Sequence, residues 1–216
     1  MSALASSIGW INVQQCFRFR ADKMDIDEIA IERISVEDLR VDRSGVLIEQ
    51  MASLAYRVFR EPPWNDDCAL ARLHLGLGVD LMRRNAVALI AKTRGSGEIT
   101  GYALGYEVLR ESEDPRDLTL STISGTTALD YLFEAGGRVF YGDTLCVDPD
   151  ARRRRIAYGL VVAQLRLIRS EGFTYRIGRT AVNATAMRAL FAKLGFEELP
   201  VQDAVFADRT YWLLRL

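Results

Sequence analysis

The stretch VFYGDTLCVDPDARRRRIAYGLVVAQLRLIRSEGFTYRIGRTAVNATAMRALFAKLGF, residues 139–196, decides how the chain is read. It opens on β-formers over 139–147, closed by Asp148-Pro149, because proline cannot donate to a sheet ladder. Over 156–169 apolar side chains recur at helical spacing and stop near Gly172. Residues 174–177 read as another strand and 183–194 as another helix, with Asn183 placed to cap its start. Gly195 suits the left-handed position past that helix, and Phe196 the apolar contact after it.

Between the first strand and its helix lies a basic loop, Arg152 to Arg155, leading into Ile156 and the small residue Ala157. Cations at a helix N-terminus cost about 0.3–1 kcal/mol each, since unpaired N–H groups already make that end positive. Four arginines there need a compensating anion, and a small residue in the first turn lets backbone approach a phosphate. The bland alternative is a solvated charge run on a helix start.

Working outward, residues 29–34 alternate as a half-buried strand, and Ser35 with Asp38 forms a capping-box pattern. A helix is predicted over 43–60, stopped by Pro62-Pro63. A second, capped by Asp66 or Asp67, carries Leu70, Leu73, Leu77 and Leu81 to about Arg84. Residues 86–93 and 99–109 read as a hairpin around 94–98. Residues 110–137 are the longest irregular segment, with a short helix near 128–133, and such segments often cover sites. Residues 211–216 read as a last strand. The expectation is one α/β domain over 24–216. It is preceded by an extension, 1–23, or by an over-long start with Met24 the true one.

The 216 residues carry 28 basic and 29 acidic side chains, so nothing pulls the whole chain toward nucleic acid or an anionic membrane. The charge is segregated, however: residues 151–180 hold eight arginines and one acid, while 24–67 hold eleven acids and five bases. A single histidine, His74, excludes a multi-histidine metal site, and no metal is expected. Its place in a leucine-rich helix predicts a partly buried structural role. Three unclustered cysteines, Cys16, Cys68 and Cys146, suit a reducing cytoplasm. No apolar stretch approaches the roughly 20 residues of a membrane span.

Leu145-Cys146-Val147-Asp148-Pro149 followed by Arg152-Arg153-Arg154-Arg155-Ile156-Ala157 resembles the acyl-CoA-binding motif of the GCN5-related N-acetyltransferases (GNAT). That motif is Arg or Gln, two variable residues, Gly, one variable residue, then Gly or Ala; Arg152 and Ala157 match its ends. Asn183, Ala186, Leu190, Phe191, Lys193, Gly195 and Phe196 resemble the next motif, and Pro62-Pro63-Trp64 and Tyr211-Trp212 also suit the family. The resemblance spans 26–216. It implies a mixed, mostly antiparallel sheet flanked by helices, with acetyl-CoA as co-substrate. The sheet would open beside residues 145–147, whose backbone N–H groups would hold the acyl carbonyl. It departs from the family twice. Arg155 stands where the central glycine is expected, and Phe191 where a tyrosine commonly protonates the departing thiolate.

The implied reaction is direct attack of a primary amine, on a small molecule or a peptide, upon the thioester. An alkylammonium must first lose a proton, so a carboxylate is sought. Asp143 is the first candidate and Glu107 the second. Cofactor contacts are expected from Leu145, Cys146, Val147, Arg152, Arg153, Arg154, Arg155, Ile156, Ala157, Asn183 and Phe191. Arg188 and Lys193 are candidates for the phosphates, and Tyr141 or Tyr158 for the missing acid. Cys146 reads as a small apolar filler rather than a nucleophile. The competing reading is a non-catalytic acyl-CoA-binding or regulatory domain. A homodimer is left open, and nucleic-acid binding through Arg152 to Arg155 lacks the interleaved aromatics it needs.

Overall fold

The protein is described by a computed structural model over residues 23–26, 28–35, 38, 45–114 and 117–216. Apart from Lys23, the expected extension lies outside these residues.

Eight strands form one sheet: β1 (Lys23–Ile26), β2 (Ile29–Ile34), β3 (Val87–Thr93), β4 (Ile99–Val108), β5 (Val139–Val147), β6 (Tyr175–Ala181), β7 (Glu197–Gln202) and β8 (Arg209–Arg215). Their order is β1-β2-β3-β4-β5-β6-β8-β7. All neighbours are antiparallel except β5 and β6, whose connection runs through a crossover helix as a parallel pair requires. The hairpin around 94–98 is β3–β4, and β5 has the predicted bounds. β6 runs further than expected, and β7 was not foreseen because its alternation is polar and half-exposed.

The helices are α1 (Val46–Phe59), α2 (Leu70–Asp80), α3 (Leu120–Ser124), α4 (Ile156–Ser170) and α5 (Thr185–Lys193). Helix α4 seals one face of the sheet. Its Ile156, Leu160, Val161, Leu165 and Ile168 pack with Leu89, Phe140, Phe191 and Trp212. Opposite, α1 and α2 cover Ile90, Tyr102, Leu104 and Cys146, while Leu120, Leu129 and Leu132 cover Tyr106, Val139, Tyr141 and Tyr211. The segment expected to be irregular thus supplies three fully buried leucines. It comprises α3, capped by Thr119 Oγ1 accepting from Thr122 N–H (3.1 Å), and a 3-10 turn over Asp130–Gly136. Leucines spaced by loop glycines carry too little periodicity to reveal this in the sequence.

Local signals mostly hold. Ser35 N–H donates to Asp38 Oδ2 (2.7 Å) and Asp38 N–H to Ser35 Oγ (3.1 Å), a reciprocal capping box. Helix α5 ends as a Schellman motif: Phe196 N–H reaches Phe191 C=O (3.0 Å), with Gly195 at φ 83°. Three expectations fail. Asp66 accepts from Cys68 N–H (3.0 Å) in a turn of its own, and α2 starts from Ala69 without a side-chain cap. Ala184, not Asn183, caps α5, because the helix begins one residue later over the buried Ala184; Asn183 contributes its carbonyl to Thr185 N–H (2.9 Å). His74 is exposed, since it lies off the apolar stripe of Leu73 and Leu77 through which α2 joins the core beneath α1.

Candidate active site

Strands β5 and β6 pair only from Val139–Tyr175 to Gly142–Gly178, then diverge, although β5 continues to Val147 and β6 to Ala181. The result is a wedge with its apex at two glycines and its open end at the loop preceding α4. The open end is fixed by close packing. A Cβ on Gly101 would stand 3.0 Å from Ile156 Cγ2 and 3.0 Å from Cys146 O, so glycine gives the start of α4 room to sit close on the end of β5. Asp148 N–H donates to Thr100 C=O (2.9 Å), and the Asp148 carboxylate pairs with Arg57 of α1.

The basic loop enters α4 with Arg153 and Arg155 at φ 65° and 63°. The position that departs from the family's glycine therefore keeps the left-handed backbone that favours glycine, at a cost of about 1–2 kcal/mol for arginine. The first backbone bond of α4 is Gly159 N–H to Arg155 C=O (2.9 Å), which leaves the preceding amides of the helix start available to an anion. The four arginines are exposed. Arg152 pairs with Glu61 (2.8 Å) and Arg154 with Glu28 (3.6 Å), surface pairs weak enough to yield to a phosphate. Arg188 makes a two-pronged pair with Glu198 (2.8 and 2.8 Å) over the Trp212 ring, and Lys193 lies over Tyr158 (5.3 Å). Both therefore already have partners in the fold.

Leu145 and Val147 lean on the α4 core, whereas Cys146 is fully buried beneath α1. Burial pushes the Cys146 thiol up to about 12, which removes its thiolate at neutral pH. Phe191 is buried against Phe196 (4.8 Å) and Trp212 (5.7 Å), its ring lying over Gly178.

Asp143 occupies a β-bulge. Thr144 is level with Leu104 and Gly142 with Gly105, so Asp143 has no partner in β4. Bulges re-aim side chains beside active sites, and this one turns Asp143 outward, exposed, with its Oδ1 accepting from Tyr106 OH (3.1 Å) and its Oδ2 from Thr144 Oγ1 (2.8 Å). Burial, then the Asp143 charge, pushes the Asp80 carboxyl up, against the pull of Arg83 (2.6 Å). Burial, then Asp143, also holds the Tyr106 phenol protonated, and it does the same for Tyr141. Asp80, Arg83 and Tyr106 escaped the sequence reading; the three-residue spacing of Asp80 and Arg83 was the signal for their ion pair.

Glu107 sits elsewhere. It is buried beside Phe140, near the closed end of the wedge, and bonded by Arg138 Nε (2.8 Å) and Asn85. A cavity of about 600 Å³ lies between α2 and Leu118, lined by His74, Leu75, Val79, Met82 and Arg83. Arg83 stacks on Tyr106 (5.1 Å), which connects this cavity to Asp143. On the other side, the Trp64 ring receives Arg209 (5.6 Å), which brings the turn after α1 against the start of β8. Among the described residues no group of three His, Cys, Asp or Glu could hold a metal, and no helix is long and apolar enough to cross a membrane.

The model of the acetyltransferase (GNAT) family matches residues 48–196, and the chain belongs to that family. Solved structures with the same fold include NAA60 from Arabidopsis thaliana in complex with acetyl-CoA, at 12% identity and TM-score 0.57, covering 87% of this chain and 98% of that one. The ribosomal-protein-S18-alanine N-acetyltransferase from Escherichia coli is similar at 12% identity and TM-score 0.54, covering 87% and 93%. The aminoglycoside N-acetyltransferase AAC(6')-Iy in complex with CoA is similar at 16% identity and TM-score 0.53, covering 82% and 92%. No curated protein matches the sequence.

Proposed function

We propose that the protein is an acetyl-CoA-dependent N-acetyltransferase acting on a primary amine by direct attack on the thioester. The observation that carries this is the wedge: β5 and β6 part after Gly142–Gly178, leaving backbone at 143–147 unpaired toward β6 beside a left-handed loop and the start of α4. Pantetheine fits the gap, the pyrophosphate fits the amides of 153–158 with Arg152 to Arg155 beside them, and backbone N–H groups near Leu145, Cys146 and Val147 suit the acyl oxygen. Ile156 and Ala157 form the first turn under the phosphates, and Asn183 and Phe191 flank the far wall.

Asp143 is the general base in this reading. It is the exposed carboxylate at the widening of the wedge, whereas Glu107 is neutralised by Arg138. The apolar cavity between α2 and Leu118 is the acceptor entrance, which favours amines that carry an apolar group, on a small molecule or a peptide. The similarity to both peptide and aminoglycoside acetyltransferases supports the reaction type without choosing between those acceptors. We place the protein in the cytoplasm on its free thiols.

A second reading, a non-catalytic acyl-CoA-binding domain, is favoured by one observation: Phe191 offers no proton to a leaving thiolate. Mass spectrometry after incubation with acetyl-CoA and a panel of alkylamines, arylalkylamines, aminoglycosides and short peptides separates the two. A mass increase of one acetyl group on any amine supports the enzyme; tight CoA binding with every amine unmodified overturns it.

A further inference from the structure

The apex of the wedge holds a buried cation. Gly142 and Gly178 face each other as the last parallel pair. Over Gly178 lies the Phe191 ring, whose para carbon would stand 2.8 Å from a Cβ at that position; over Gly142 lies the Arg176 guanidinium, 2.7 Å from a Cβ there. Both are on the α4 face of the sheet. Arg176 is 4% exposed, yet among the described residues Gln164 is its one side-chain hydrogen-bond partner, through Oε1 (2.9 Å). Its Nε and Nη1 have no hydrogen-bond partner among the described residues.

The groups recorded against it are Gln164 of α4, Phe196 (5.2 Å from ring centroid to guanidinium carbon), the Gly142 backbone, and its sheet neighbours Phe140 and Leu214. None of these is ionisable, and no acidic side chain among the described residues pairs with it. Burial alone pushes its pKa down to about 9, so it stays charged at neutral pH. A buried cation left unpaired is among the costliest arrangements in a core. A buried cation is ordinarily held by an anionic partner, so an anion or a developing negative charge is expected to meet this one.

We propose that Arg176 takes the place of the missing tyrosine acid by donating its free N–H groups to the coenzyme sulfur as negative charge develops on it. This rests on the acetyltransferase reading. The para carbon of Phe191 marks where a tyrosine hydroxyl would point, and Arg176 lies one glycine pair away on the same face. In the step, the amine nitrogen attacks the carbonyl carbon and a C–N bond forms. The tetrahedral intermediate collapses, the C–S bond breaks, and sulfur leaves with the electron pair. The ammonium proton passes to Asp143. The thiolate is held by Arg176 and takes a proton from solvent on release. A fixed charge in a dry apex needs no reorganisation, which is why it can substitute for an acid.

The test is a titration of the thiol of bound CoA, followed by thiolate absorbance near 240 nm in CoA-saturated protein, with CoA-free protein subtracted to remove Cys16, Cys68 and Cys146. Bound CoA is expected to ionise about one pH unit or more below free CoA, with Arg176→Lys keeping most of that shift and Arg176→Met losing it. Arg176→Met should also lower kcat by about 100-fold, with the acetyl-CoA KM nearly unchanged. CoA that binds but ionises like free CoA in the unmodified protein overturns the role of Arg176. Failure of CoA to bind at all overturns the acetyltransferase reading instead. The unmodified protein suffices for both outcomes, so a variant that fails to fold does not shield the proposal.

Discussion

Tyr106 donates its hydroxyl proton to Asp143 across the β4–β5 pair at 3.1 Å, at the single place where the two strands lose register. The bond aims the carboxylate and leaves Oδ2 with Thr144, at an exposed position beside the widening wedge. Asp143→Asn keeps an oxygen acceptor for Tyr106 but cannot take a proton. Turnover of an amine substrate is expected to fall by about 10²–10⁴-fold, while CoA affinity by calorimetry stays the same. Unaltered turnover in Asp143→Asn would sink the assignment of the base.

Cys146 should take no part in the chemistry. Its thiol is buried and pushed up to about 12. Cys146→Ala is expected to cost about 1 kcal/mol of stability through a small cavity and to leave turnover intact. Initial-rate patterns should be intersecting, as for a ternary complex. Parallel lines, with an acetylated protein caught by mass spectrometry, would indicate a covalent intermediate instead.

The wedge apex depends on glycine. A side chain at residue 178 would meet the Phe191 ring at 2.8 Å. Gly178→Ala must push that ring aside, which is expected to cost about 1–3 kcal/mol of stability and to weaken CoA binding. Thermal melts with and without CoA check both effects; a variant as stable as the parent that binds CoA equally well contradicts the tight apex.

Asp203 anchors the loop before β8. Its buried carboxylate accepts from Tyr211 OH (2.6 Å), Arg179 (2.8 Å) and the N–H groups of Val205 and Phe206 (2.8 Å each). Burial raises its pKa, but these hydrogen bonds, that of Tyr211 foremost, outweigh it and hold it below the usual carboxylate range. A depressed folded pKa gives stability that is full above the unfolded value of about 3.9 and lost as pH falls through the folded one. Asp203→Asn is therefore expected to cost about 3 kcal/mol near neutrality, because Arg179 loses its counter-charge. The gap to the parent should close in acid, as denaturant titrations at a series of pH values will show. A gap that persists unchanged below the folded pKa would deny the charge its role.

Patterns that local physics dictates were legible. The strand over 139–147, the helix after the arginines and the Gly195 turn each follow from neighbours a few residues apart, so the bounds of β5 and the Schellman motif matched. Asn183 misled because its capping propensity says nothing of Ala184 beside it, whose burial sets where α5 starts. His74 misled because a leucine-rich helix looks buried until its packing partner is known; α2 touches α1 along one stripe and leaves Leu75 and Val79 exposed.

By itself the sequence determined most of the elements from β2 to α5, the separation of acidic from basic segments, and the basic loop feeding a helix start. Each depends on propensity, spacing or composition along the chain. Only the tertiary structure decided that Asp143 is a bulged residue bonded to Tyr106, that Glu107 is tied to Arg138, and that Arg176 is buried at the apex of the wedge with no counter-charge among the described residues. Those facts arise from register between distant strands and from what lies across a face. Neither has a local signature, because the residues that meet there are separated by 31 to 37 positions or by a helix's width of core.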